Sequence, residues 1–254
     1  MATHRPTPRT TAVVLMLMVV WGAAVHAVVT PGGKILNLHD PVKYKDCSHL
    51  LKAGYNVSGT HVLWMNASAS FFIDCEFVDG QAYNVIQRRV DNVVDFRQPY
   101  NVYTVGFGQT QGSYWAGLNS INYLTYTGNT KLVIYMQDWS GHNQNVMYSY
   151  FRVDGSQYRY QMHVSGFSGS IPDDLSYHNG MVFATYDYPD TYSCAVHMGA
   201  GWWYNYCAYT LLNGRYYYGG KYVPSTGFYD GIFWKSWQGF DYSLKFVSMQ
   251  LTSG

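Results

Sequence analysis

Cys194 and Cys207 stand thirteen positions apart and bracket Gly201-Trp202-Trp203-Tyr204-Asn205-Tyr206, and the turn-like Leu212-Asn213-Gly214-Arg215-Tyr216 follows. In an oxidising compartment this spacing suits one short disulfide-closed loop against which the enclosed aromatics must pack. Cys47 and Cys75 bring the count to four. No pair has the Cys-x-x-Cys spacing of a zinc site, so two disulfides are expected; three connectivities satisfy that count, and two local bridges are the simplest. Nucleophilic and acid–base chemistry has little to stand on. Gly166-Phe167-Ser168-Gly169-Ser170 lacks the final glycine of a nucleophile elbow. Neither a His-Glu-x-x-His helix nor a phosphate loop occurs. Asp173 and Asp174 are adjacent, and sequence neighbours point apart, so a turn or helix-cap role is expected of them. The chain reads as a non-enzyme without a cofactor.

The ends and composition set where such a loop would be made. Arg5 and Arg9 precede an apolar run from Ala12 to Ala24, and Val25-His26-Ala27 offers a small residue for cleavage. This is the pattern of a secretory signal peptide over residues 1–27, too short to span a bilayer comfortably. No second long apolar run exists, so a secreted, extracellular protein without a membrane span is expected. Asn56-Val57-Ser58 and Asn66-Ala67-Ser68 are glycosylation sequons on that route. Net charge is +1, and loss of Arg5 and Arg9 would leave a slight acidic excess. Without a basic stripe, nucleic acid and anionic membranes are poor partners. Charged residues make up only 12% against 18% aromatic, including 26 tyrosines. Tyrosine joins a flat apolar face to a hydroxyl, which suits sugar stacking and protein interfaces as well as an irregular core.

The elements that must hold these residues are mainly strands. Residues 28–43 form a short tail containing Pro31-Gly32-Gly33 and Asp40-Pro41, without Gly-X-Y or heptad repeats. From residue 44 to 254 the chain reads as one domain. Residues 71–77, 83–87, 132–136 and 148–153 read as strands by β-branched and aromatic content. Asp154-Gly155 then signals a hairpin to a period-two segment over 158–164. Asp46 to Gly54 reads as a short helix with an acidic start and a glycine stop, and 119–124 as a second. After Gly166 few regular runs remain, so a loop-dominated final third held by its disulfide is expected.

These segments resemble, in order, the fibrinogen-related domain, the module shared by fibrinogen, ficolins, tachylectins and angiopoietins. Tyr44-Lys45-Asp46-Cys47-Ser48 is similar to its opening, and Val85-Ile86-Gln87-Arg88-Arg89 with Val94-Asp95-Phe96 to its central signature. Tyr114-Trp115-Ala116-Gly117-Leu118, Asp138-Trp139-Ser140-Gly141, Asp174-Leu175-Ser176-Tyr177-His178-Asn179-Gly180-Met181 and Gly231-Ile232-Phe233-Trp234 continue it. One departure is Gln81-Ala82-Tyr83-Asn84, where the family has Gly-Gly-Trp-Thr. The resemblance implies an α+β fold: a small N-terminal disulfide subdomain, a central mainly antiparallel sheet with short helices, and a loop-rich C-terminal subdomain. It also implies the bridges Cys47–Cys75 and Cys194–Cys207, a core role for His178, and a cis peptide before Cys207.

Two sites carry over in part. The family's calcium loop uses Asp-x-Asp-Asn-Asp; Asp187 matches its first aspartate, but Pro189 and Thr191 stand where the next two belong, and only a shifted Asp190 could replace one. Calcium takes roughly six to eight oxygens, so calcium is expected to bind at best weakly. The family's ligand pocket falls on Met198, Ala208, Tyr209, Phe228 and Tyr229, with Phe240 and Tyr242 behind or beside them. Fibrinogen holds a cationic peptide end there with aspartates; Met198 and Tyr229 occupy those places, although Asp230 adjoins, and the family's histidine after the second cysteine is Ala208. A neutral aromatic pocket suits acetylated or other neutral glycans, hence a lectin-type recognition protein of innate immunity. The alternative is a protein-binding ligand or adhesion module of angiopoietin type, engaging a protein receptor. In either case the absence of a stalk calls for self-association to gain avidity.

Overall fold

A computed structural model describes residues 42–253 other than 225 and 226, together with the backbone of residues 15–20, 23–29 and 35–37. Two compact units divide the chain between Lys43 and Tyr44. In the first, β1 (Leu15–Val20), β2 (Ala23–Val29) and β3 (Ile35–Asn37) form an antiparallel sheet. The remainder of the expected leader (1–27) and tail (28–43) lies outside the described residues, Val42 and Lys43 apart. Among the described residues no helix is long and apolar enough to cross a membrane.

The second unit begins with α1 (Cys47–Lys52). Asp46 starts it by accepting the His49 amide at 2.9 Å, and Gly54 leaves it at a φ of 90°. Two hairpins follow: β4 (Gly59–Trp64), β5 (Ser70–Val78) and β6 (Gln81–Arg89). Asn66 turns β4 into β5, its side-chain oxygen accepting the Ser68 and Ala69 amides at 2.9 and 3.0 Å. Both sequon asparagines, Asn56 and Asn66, are exposed. Then come α2 (Tyr100–Val105), the two-residue strands β7 (Phe107–Gly108) and β8 (Tyr114–Trp115), and α3 (Leu118–Tyr126). Leu118, Ile121 and Leu124 recur at helical spacing and supply the buried face of α3. β9 (Lys131–Gln137), β10 (Asn143–Val153) and β11 (Met162–Gly169) make a meander.

The last strand of the chain completes this sheet from its centre. After α4 (Cys194–Met198), the pair β12 (Thr210–Leu211) and β13 (Phe233–Trp234), and α5 (Lys235–Gln238), the chain returns as β14 (Phe246–Thr252). β14 lies between β6 and β9, so the order is β11-β10-β9-β14-β6-β5-β4, every neighbour antiparallel. Six of its seven residues are buried. The fold is thus the expected mixed architecture with a mainly antiparallel sheet, and the bridges are Cys47–Cys75 and Cys194–Cys207. One local expectation fails. Residues 158–161 do not extend β11; a 3-10 turn over Ser156–Tyr158 and left-handed Arg159 and Tyr160 intervene. Tyr160 is buried instead, its hydroxyl on Asn119 and its carbonyl accepting Trp203 Nε1 at 2.8 Å.

Asn84, in the place of the family's threonine, joins the N-terminal helix to this sheet. It is fully buried, accepts the Cys47 amide at 3.0 Å, and donates to Asn129 Oδ1 at 3.1 Å and to the Leu251 carbonyl at 3.2 Å. Asn129 in turn donates to Asp46 Oδ2 at 3.1 Å. Removing the amide strands several buried polar groups, each costing about 1–3 kcal/mol. Asn84→Ala is therefore expected to lose about 3 kcal/mol, and urea denaturation against wild type measures it.

Candidate functional site

The disulfide loop opens on one side into a cleft of about 490 Å³. Met198, Ala208, Tyr209, Phe228, Tyr229 and Phe240 line it together, as the sequence placed them. Met198 and Ala208 are buried at its base, whereas Phe228 and Tyr229 are each about two-fifths exposed. Tyr242 stands elsewhere: its hydroxyl accepts the Trp139 amide at 2.8 Å and it does not line the cleft. Sequence reasoning overlooked Tyr192, His197 and Tyr206, which complete the wall. His197 was legible by adjacency, since it precedes Met198 in α4; Tyr192 and Tyr206 come from irregular chain whose course no periodicity reveals.

Ring pairs organise the wall. Tyr209 stacks on Tyr177 with centroids 3.8 Å apart, His197 on Phe228 at 4.4 Å, and Tyr229 on Phe240 at 5.6 Å. Tyr192 meets Tyr206 edge to face at 4.9 Å. Among the described residues no Asp, Glu, Lys or Arg lines the cleft; Lys235 Nζ sits 3.5 Å from the centroid of the Tyr209 ring, on which it makes a cation–π contact. Such a surface offers apolar faces and phenol hydroxyls with little charge to desolvate.

The chain turns sharply at Tyr206, but not by the cis peptide expected before Cys207. No peptide among the described residues is cis; Tyr206 instead takes a left-handed φ of 40°. The Asn205 amide donates to the Cys207 carbonyl at 2.8 Å across the turn, and Asn205 Nδ2 donates to the Tyr177 carbonyl at 2.7 Å. These bonds and the disulfide hold a conformation that a tyrosine avoids by itself. The consequence is a Tyr206 ring left 73% exposed at the cleft mouth.

His178 positions the floor. It is fully buried, its Nδ1 lies 2.7 Å from the Trp203 carbonyl, and its Nε2 accepts the Tyr209 and Thr210 amides at 3.3 and 3.4 Å. That set of partners requires the neutral ring with the proton on Nδ1. Burial pushes its pKa down to about 4. Asp174 is also structural, accepting the Ser236 amide and hydroxyl at 2.7 Å each, while Asp173 accepts the Tyr148 hydroxyl at 2.5 Å and the Ser176 amide at 3.0 Å. The two carboxylates serve different elements, as the turn-and-cap reading expected.

Asp187 and Asp190, the two aspartates of the shortened calcium-loop segment, both hold the chain around them. Asp187 Oδ1 accepts the Thr185 hydroxyl at 2.7 Å and the Tyr100 amide at 3.0 Å. Asp190 spends both oxygens on the start of α4: Oδ1 on the Tyr192 and Cys194 amides at 2.9 and 3.1 Å, Oδ2 on the Ala195 amide at 2.9 Å.

Two predictions follow from this geometry. A histidine whose folded pKa is depressed withdraws stability as pH falls from its ordinary value of about 6.5 toward the folded value. Wild type should therefore lose about 3 kcal/mol more than His178→Gln between pH 6.5 and 4, read as the difference between their urea midpoints along that range. Calcium, in turn, should leave the melting temperature unchanged within a degree or so, whereas Asp190→Ala should lower stability by about 1 kcal/mol through loss of the α4 cap with or without calcium. Calorimetric scans with calcium and with chelator measure both.

Residues 43–253 match the family described as fibrinogen beta and gamma chains, C-terminal globular domain. Human angiopoietin-related protein 6 is 33% identical over 209 residues, 81% of this chain and 44% of that protein, so the chain spans less than half of this relative's length. The solved fibrinogen-like globe domain of human ANGPTL2 is 36% identical with a TM-score of 0.78, over 82% of this chain and 98% of that domain. Lamprey fibrin D-dimer, solved with the peptide ligand Gly-His-Arg-Pro-amide, is 30% identical with a TM-score of 0.79, over 84% of this chain and 74% of that one. The matched span takes in the sheet, both disulfides and the whole cleft, and the chain belongs to the family of fibrinogen C-terminal globular domains.

Proposed function

We propose that this chain is an exported, non-catalytic recognition module whose aromatic cleft takes a neutral, apolar segment of a partner protein. The observation that carries the reading is the cleft itself: Tyr206, Phe228 and Tyr229 are exposed rings around a base without charged side chains. Exposed aromatics over a dry, shaped base are what protein interfaces use as anchors. The relatives support it, since an angiopoietin-related protein is among them and the lamprey fibrin structure carries a peptide. A basic peptide such as that one is a poor fit here, because the cleft offers no carboxylate to a cation. Export follows from the leader-like N-terminus and from two disulfides, which persist in oxidising compartments. The exposed Asn56 and Asn66 would then carry glycans.

A second reading is binding of acetylated or other neutral glycans, as a lectin would. Its support is the funnel shape: Met198 and Ala208 at the base suit a methyl group, and stacked tyrosines suit a sugar face. In both readings a single cleft binds weakly, and self-association would supply avidity.

Peptide display selection on the purified protein, run beside a glycan array, separates them. Selected peptides should be apolar and uncharged, and Phe228→Ala/Tyr229→Ala should weaken them by roughly thirtyfold, the value of one aromatic hot spot of about 2 kcal/mol. Failure to enrich any peptide that this double variant weakens, with N-acetylated glycans retained by wild type and lost by the variant, would establish the second reading instead.

A further inference from the structure

A second cleft, of about 610 Å³, opens on the other side of Met198, between β6 and the turn that follows Asn213. Its volume lies within the roughly 300–1,000 Å³ usual for small-ligand sites. It differs from the aromatic cleft in being charged: Arg89, Arg97 and Arg215 line it against Asp95 and Asp230. The inference drawn from it is independent of the protein-recognition reading.

Arg88 and Arg89 are neighbours on β6, and strand alternation sends them to opposite faces. Arg88 is fully matched: its guanidinium lies 2.6 Å from both Asp74 Oδ2 and Glu76 Oε1, and it donates to the Thr110 carbonyl at 2.6 Å. Arg89 has no such match. It is 1% exposed, donates one nitrogen to the Gly214 carbonyl, and lies 3.8 Å from the centroid of the Phe96 ring. Its Nε is buried without a hydrogen-bond partner, and no carboxylate among the described residues lies within ion-pair distance. Burial lowers its pKa to about 10, so it stays charged at neutral pH. A buried cation with an unused donor is costly unless something completes it.

We propose that this cleft is a carboxylate-binding site, with Arg89 as its buried anchor and the exposed Arg215 and Arg97 at its rim. A guanidinium fork matches the planar carboxylate, with two parallel donors for two oxygens. The existing acids are already engaged. Asp230 accepts the Tyr217 hydroxyl at 3.0 and 3.1 Å, and Asp95 Oδ1 accepts the Arg97 amide at 2.8 Å. Three cations line the cleft with two carboxylates, and Asp91 also acts on Arg89 from outside it, so a singly charged group fits this balance better than phosphate or sulfate. The carboxylate could belong to an acidic peptide or to an acidic sugar, and both present the same group.

The test follows the arginine Nε–Hε signals of the whole protein by NMR while sodium acetate replaces sodium chloride at constant ionic strength, with acetamide as the neutral control. Acetate should shift one buried arginine signal saturably and acetamide should not; the same signal should be absent from Arg89→Lys. Arg97→Gln/Arg215→Gln, which alters only exposed residues, should weaken acetate by roughly tenfold. Acetate acting no better than acetamide, or unchanged affinity in the rim variant, overturns the proposal; where Arg89→Lys does not fold, the rim variant decides. Adding N-acetyl-aspartyl amide and glucuronate then identifies the source, whichever binds more tightly than acetate.

Discussion

Everything in the C-terminal third depends on how irregular chain satisfies its buried backbone groups. Strands and helices pair their own amides and carbonyls, whereas loops must borrow partners, and an unpartnered buried group is expensive. Here the lenders are a few buried polar side chains. Gln87 on β6 donates to the Leu212 carbonyl at 2.7 Å and to Asn213 Oδ1 at 3.2 Å, and Asn213 donates onward to the Gly201 carbonyl at 3.0 Å. Arg89, two residues along the same face, takes the Gly214 carbonyl. His178 does the same for Trp203, Tyr209 and Thr210. Gln87 and Arg89 thereby tie the loops directly to β6.

Close backbone approach makes this docking specific. A Cβ on Gly214 would fall 2.0 Å from the Gly231 carbonyl oxygen, so only glycine lets the two segments meet. Beside them the Arg215 amide donates to the Asp230 carbonyl at 2.6 Å. That contact fixes Phe228 and Tyr229 relative to the disulfide loop, although neither belongs to a strand or helix. The aromatic cleft therefore depends on backbone docking next to the residues that line it. Its shape is set by polar contacts, and its surface chemistry is left free to vary.

This division explains what the sequence could and could not reveal. The strands over 71–77, 83–87 and 132–136 were legible because β-branched and aromatic residues concentrate there, and α1 because Asp46 and Gly54 mark its ends. Phe246-Val247-Ser248-Met249-Gln250-Leu251-Thr252 alternates as a strand does, but the central place of β14 was not legible: burial on both faces puts Ser248 and Gln250 inside, which a polarity pattern reads as exposed. The pocket residues came from ordered motifs and six of the seven converge. Tyr242, expected behind or beside them, does not line the cleft; its hydroxyl accepts the Trp139 amide, a contact across a hundred residues that no local pattern records. The turn at Tyr206 shows the same limit. The need for a sharp bend was evident from the family motif, but the left-handed residue that provides it is held by a bond from Asn205 to Tyr177, two motif blocks whose contact no sequence pattern records.

The two clefts flank one side chain, Met198, yet they have opposite chemistry, and the reason lies in which strand or loop feeds each. The aromatic cleft is built from α4, the Cys207 turn and the segment before β13, where tyrosine and phenylalanine replace polar residues and no carboxylate remains. The charged cleft is backed by β6, where alternation places position 89 on the same buried face as Gln87, which is committed to the loop. A lysine there could not both hold the Gly214 carbonyl and lie flat on Phe96, since both contacts use the planar guanidinium. Arg89 thus serves both the loop docking, through the Gly214 carbonyl, and the charge of the second cleft. A ligand long enough to pass Met198 would meet an apolar surface at one end and a cation at the other.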